Sequence, residues 1–126
     1  MINCIMVGAG GAAGAILRYL IGLIPINRSG GFPVNTFLIN IIGSFAIGVI
    51  AALALRNDKI DPKLILFLKT GICGGFTTFS SFALETGDLI SGGNTAMAAV
   101  YAVLSMVMGV AAVFAGEWIV KWAASV

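Results

Sequence analysis

The chain has 126 residues, of which 60% are apolar and 10% charged, with no histidine and a formal net charge of +2. A soluble domain carries about 25% charged residues, so this surface cannot be covered with water-compatible groups and belongs in lipid. No basic run is present for nucleic acid, and no nucleophile–base pair or metal-ligand cluster is present for an enzyme, which sets both classes aside.

Crossing a bilayer takes roughly 20 helical residues. The first span is expected over residues 2–24, with Arg18 inside it and Pro25 ending it. Its start is span-length and uncharged, unlike a removable signal peptide. Residues 25–32 read as a loop that carries Arg28. The second span, 33–55, has no charge and opens on Pro33, a residue suited to a helix start. A charged turn follows with Arg56, Asp58, Lys59, Asp61 and Lys63, and Pro62 opens the next helix. The third span, 64–85, has Lys69 near its start and Glu85 at its end. Ser91, Gly92, Gly93 and Asn94 make a second turn. The fourth span, 95–116, is closed by Glu117, Trp118, Lys121 and Trp122, with the tryptophans as interfacial anchors. Each segment is continuously apolar rather than alternating, which selects helices over a barrel. Residues 1–126 thus read as one all-α domain of four transmembrane helices, multi-pass in a cell membrane.

With four spans the two termini share a side with the 56–63 turn. That side holds Arg56, Lys59, Lys63, Lys69 and Lys121, and the other holds Arg18 and Arg28, a bias that favours cytoplasmic termini. Small residues recur at four-residue spacing (Gly10/Gly14, Ser44/Gly48, Gly71/Gly75, Ala112/Gly116) and predict close helix packing. Cys4 and Cys73 lack redox or metal spacing and read as buried small hydrophobes.

Polar groups inside a membrane are expensive and therefore informative. Thr36, Asn40, Ser44 and Gly48 form one stripe on the second helix. Ser44 suits interhelical hydrogen bonding. Asn40, with an amide near mid-membrane, is assigned to a pore or ligand. On the third helix, TGICGGFTTFSSF (70–82) sets Gly74 and Gly75 before two β-branched threonines. Either it forms a small-residue packing face, or the helix breaks at Gly74 to Thr77 and frees carbonyls suited to an alkali cation. Phe79 and Phe82 share a face, and Thr77, Ser81 and Glu85 form a separate stripe. Positive ring edges combined with hydroxyl and amide donors suit a small anion. Arg18 either snorkels to the interface or serves a pore mouth. Ser105 and Gly109 are weaker signals on the fourth helix.

The segments GGAAGAILRY (10–19), NTFLINIIGSFAIG (35–48) and TGICGGFTTFSSF (70–82), ending near Glu85, closely resemble the Fluc (CrcB-type) fluoride channels over nearly the whole chain. The resemblance implies an antiparallel, dual-topology homodimer with two pores that exports cytoplasmic fluoride passively across the inner or plasma membrane. It implies a third helix broken mid-membrane and a fluoride path along Asn40, Phe79 and Phe82, with Thr36, Ser80, Ser81, Ser105 and Glu85 beside it. The Gly74 and Thr77 carbonyls match a structural sodium site between subunits, and Arg18 matches a first-helix arginine. Gly109 and Val113 stand where the family's fourth helix often carries hydroxyls. Two competing readings remain: a proton-coupled four-helix transporter, which needs a titratable mid-membrane carboxylate, and a non-transporting membrane assembly subunit, for which the small-residue motifs suffice.

Overall fold

The computed structural model describes residues 1–27 and 31–125. Arg28, counted above among the basic residues, lies outside them. Four segments are long and apolar enough to cross a membrane: Ile2–Gly22, Val34–Arg56, Pro62–Ser91 and Thr95–Ala123. We label the first two α1 and α2. The third is composite, with α3 (Pro62–Ile65), a π-helical stretch (Leu66–Cys73), α4 (Gly74–Phe76) and α5 (Phe79–Ser91); the fourth is α6. Pro25–Asn27 forms a short 3-10 turn after α1.

The helix starts follow local chemistry. Asp61 caps α3, accepting from the Lys63 N–H at 2.8 Å ahead of Pro62 in the first turn. Thr78 caps α5 by accepting from the Ser81 N–H, and Asn94 caps α6 by accepting from the Met97 N–H. Gly93 supplies the positive φ, 81°, that turns the chain into α6. The fourth helix outruns the expected end at residue 116, because Glu117 and Lys121 pair across one turn at 3.3 Å and carry the helix on to Ala123. The third likewise runs on to Ser91.

Two helix pairs build the packing: α1 lies along the third segment, and α2 along α6. Both depend on absent side chains. A Cβ on Gly10 would come within 2.9 Å of the Gly71 Cα, and one on Gly75 would strike the Gly11 carbonyl. On the other pair, Gly116 meets the Phe45 carbonyl and Gly48 the Val113 carbonyl. Lipid tails are as apolar as leucine, so association rests on such close approach. Few large side chains are buried; among the described residues Tyr101 is fully enclosed and Ile39 and Phe76 are buried, while Leu55, Met106 and Phe114 point outward. Cys73 is buried as expected of a small hydrophobe, whereas Cys4 is exposed on the outer face of α1.

In the third segment, Gly74 and Gly75 are helical, and the extended residues are Thr77 (φ −74°, ψ 157°) and Thr78 (φ −149°, ψ 116°). Gly75 is used for the approach to α1, Gly74 lies on an open face, and neither takes an unusual dihedral. The β-branched threonines, poor helix formers, take the extended step, and the second of them restarts the helix as its cap.

Candidate functional site

The Thr77–Thr78 step leaves backbone groups that a continuous helix would have paired, and side chains from two other helices take them up. Asn40 on α2 accepts from the Thr78 N–H through Oδ1 at 2.8 Å and donates from Nδ2 to the Thr78 carbonyl at 3.1 Å. Arg18 on α1 donates from Nε to the Gly75 carbonyl at 3.2 Å. The Thr77 hydroxyl donates to the Cys73 carbonyl at 2.9 Å, and the Thr78 hydroxyl donates to the Ser81 hydroxyl at 3.1 Å. An unpaired polar group in hydrocarbon costs several kcal/mol, so this pairing is what allows a non-helical step inside an apolar span.

The Gly74 and Thr77 carbonyls are among those that lose their helical donors. The Thr78 N–H, which would close on the Gly74 carbonyl, goes to Asn40; the Ser81 N–H, which would close on the Thr77 carbonyl, goes to Thr78 Oγ1. These hard oxygens suit an alkali cation. Among the described residues no three His, Cys, Asp or Glu side chains converge, so backbone oxygen is the donor chemistry on offer.

The expected anion-path residues divide between two hollows. The larger, about 510 Å³, is lined by Asn40, Ser44, Gly74, Thr77, Phe79, Phe82 and Ser105 among others. Phe79 is 80% exposed, so its ring stands at an open face. The two phenylalanine rings lie 5.6 Å apart and tilted, and Phe82 in turn packs 5.1 Å from Tyr101. Ser105 Oγ is buried there without a hydrogen-bond partner. The smaller hollow, about 340 Å³, gathers Arg18, Asn35, Thr36, Ser81 and Glu85. Thr78 lines both, so the extended step is the wall between a polar cleft and a largely apolar one. Ser80 lines neither; it is exposed, with its hydroxyl 3.3 Å from Thr78 Oγ1.

Glu85 is held at both oxygens. Thr36 donates to Oε1 at 2.6 Å and Tyr101 to Oε2 at 2.7 Å. Thr77, expected on one stripe with Ser81 and Glu85, faces the other hollow, because the extended step resets the helical register. The α2 stripe divides as well: Thr36 serves Glu85, Asn40 holds Thr78, and Ser44 lies against Gly109.

Sequence reasoning missed Tyr101 and Asn35. Tyr101 stands one turn before Ser105 on α6, which was the available signal. Asn35 is 8% exposed and donates to the Ile24 and Gly22 carbonyls at 2.9 and 3.3 Å, closing the C-terminal end of α1. Nothing in its spacing announced that role.

Four apolar spans, one of them stepped at a polar wall between two hollows, define a multi-pass membrane protein. Residues 5–117 match the family described as CrcB-like protein, Camphor Resistance (CrcB), and the chain belongs to that family. It is 45% identical over 121 residues to a protein of Chlorobaculum tepidum, covering 96% of each chain. A protein of Ruminiclostridium cellulolyticum is 45% identical over 127 residues, covering 99% of this chain and 97% of its own. One of Agrobacterium fabrum is 44% identical over 117 residues, covering 92% and 94%. All three relatives bear the name Fluoride-specific ion channel FluC.

Proposed function

We propose that this chain is one protomer of a fluoride-selective channel that lets fluoride leave the cytoplasm down its electrochemical gradient across the inner or plasma membrane. The observation that carries the reading is the Asn40–Thr78 clamp beside the Phe79/Phe82 pair, at the wall between the two hollows. It rests also on the names of the relatives.

The chemistry supports a weakly held anion. Asn40 donates one amide hydrogen to Thr78, and its NH2 has a second to offer. Phenylalanine edges carry partial positive charge, and the Ser105 hydroxyl is a donor without a partner. None of these carries a full charge, so an anion is solvated without being trapped. The Arg18 guanidinium, in the polar cleft, raises the local concentration of anions while its Nε stays on the Gly75 carbonyl. Glu85 is kept from opposing them by its two hydroxyl partners, which spread its charge.

The working unit in this reading is an antiparallel, dual-topology homodimer with two pores, in which the third segment is broken at mid-membrane. The open face at Phe79 supports it, since one protomer leaves that hollow unenclosed. A sodium ion fits the Gly74 and Thr77 carbonyls, which would hold it at the subunit contact. Two oxygens leave a coordination shell incomplete, so a second copy supplies the rest. When bound, the ion offsets the carbonyl dipoles at the step.

The test is fluoride efflux from liposomes containing purified protein. Efflux well above protein-free vesicles, unchanged when a protonophore collapses the pH gradient under clamped voltage, is expected. A folded protein with no flux sinks the proposal.

A further inference from the structure

The far end of the molecule carries a feature that fluoride conduction does not use. The C-terminal turns of α2 and α6 line a cleft of about 590 Å³, a size typical of ligand sites. Its walls are apolar (Leu53, Ile60, Ile119, Val120 and Ala123), and Arg56 and Asn57 are its polar groups.

Arg56 donates from one nitrogen, Nη1, to the Val120 and Lys121 carbonyls at 3.3 and 3.4 Å. Two consequences follow. The last carbonyls of α6 are covered by a cation, with Lys121 in the same turn, so the negative end of the helix dipole does not repel an anion there. And a guanidinium has five donors, so the Nε and Nη2 side of Arg56 has hydrogens to offer. Asn57 takes the Lys59 N–H on its Oδ1 at 3.1 Å, which leaves its NH2 as a further donor.

Among the described residues, the nearby carboxylates lie outside this cleft. Asp58 lines the adjoining hollow, which shares Asn57 and Ile60 with it. Asp61 accepts from the Lys63 N–H, and Glu117 pairs with Lys121. Depth is set by Trp118 and Trp122, which are exposed and stacked at 6.4 Å on the same helix as Ile119 and Ala123. Tryptophan settles at the headgroup level of a bilayer.

We propose that this cleft binds one anionic phospholipid, with an acyl chain along Leu53 and Ile119 and the phosphate on Arg56 and Asn57. A zwitterionic lipid fits the same walls but brings its own cation to the guanidinium, so the charge selects the anionic headgroup. The site is built within one protomer and does not depend on what the protein conducts.

Native mass spectrometry of the purified protein, with phosphatidylglycerol and phosphatidylcholine of matched chains, tests it. About fivefold greater retention of phosphatidylglycerol is expected, the effect of one basic residue near a headgroup. Arg56→Gln abolishes the preference and Arg56→Lys keeps it. Because Arg56 also ties α2 to α6, a second variant, Ala123→Phe, fills the cleft with Arg56 intact and lowers retention of both lipids. Equal retention of the two lipids by the unaltered protein overturns the proposal, as does a preference that survives Arg56→Gln or retention unchanged in Ala123→Phe. Displacement of phosphatidylglycerol by equimolar glycerol phosphate also overturns it, since the site would then be one for a free anion.

Discussion

Asn40 and Thr78 exchange two hydrogen bonds, the amide of one side chain pairing with both the N–H and the C=O of one residue of main chain. The side chain thus stands in for a missing helical turn. It explains how Asn40 can be both structural and close to the proposed conducting path.

Asn40→Asp keeps the acceptor for the Thr78 N–H but replaces the donor to its carbonyl with a charged oxygen. A lost buried hydrogen bond costs about 1–3 kcal/mol, and the new charge repels an anion. Fluoride efflux from liposomes should fall at least about a hundredfold, the equivalent of about 2.7 kcal/mol. Normal efflux in this variant removes the clamp from the mechanism.

The aromatic pair separates stability from conduction. Phe79 is largely exposed in the single chain, whereas Phe82 packs on Tyr101. Phe82→Ala should lower thermal stability in detergent by about 3 kcal/mol, and Phe79→Ala by much less. Both should abolish most fluoride flux. Similar stability losses for the two would mean that the second copy of the proposed dimer packs directly on Phe79 and does not leave its ring facing the hollow.

Tyr101→Phe keeps the ring among Phe32 and Phe82 but removes the hydroxyl from Glu85. Hydrogen bonds to a charged group are worth about 1.5–3 kcal/mol. We expect a drop in melting temperature with the fold retained, and slower efflux as the freed carboxylate opposes the anion. An unchanged melting temperature contradicts this account of Glu85.

Glycines that look alike in the sequence should behave differently. Gly14→Ala drives a methyl into the Ile72 carbonyl, and overpacking costs about 1–3 kcal/mol. Gly8→Ala meets nothing within 4 Å and should be neutral within about 0.5 kcal/mol. Unfolding of the two variants side by side is the check.

Much of the architecture was legible because lipid imposes a simple rule: long uncharged runs must be helices. Composition and run length alone located the four spans, and the 70–82 motif pointed to the family. Asn40 was legible because an amide in hydrocarbon must be satisfied. What it satisfies was not, since Thr78 lies 38 residues away. Tyr101 was harder to read, because its spacing to Ser105 was the one local signal and its partner Glu85 lies on another helix.

The sequence by itself determined the membrane class, the approximate spans and the family, because these depend on local hydropathy and on short motifs. The tertiary structure alone decided how the polar groups divide. Gly75 became a helix contact while Thr77 and Thr78 took the extended step, and one expected polar track became two hollows with a wall between them. The physical reason is register: a single extended step resets the side-chain rotation of everything after it, and only the helices packed against that step determine which groups meet there.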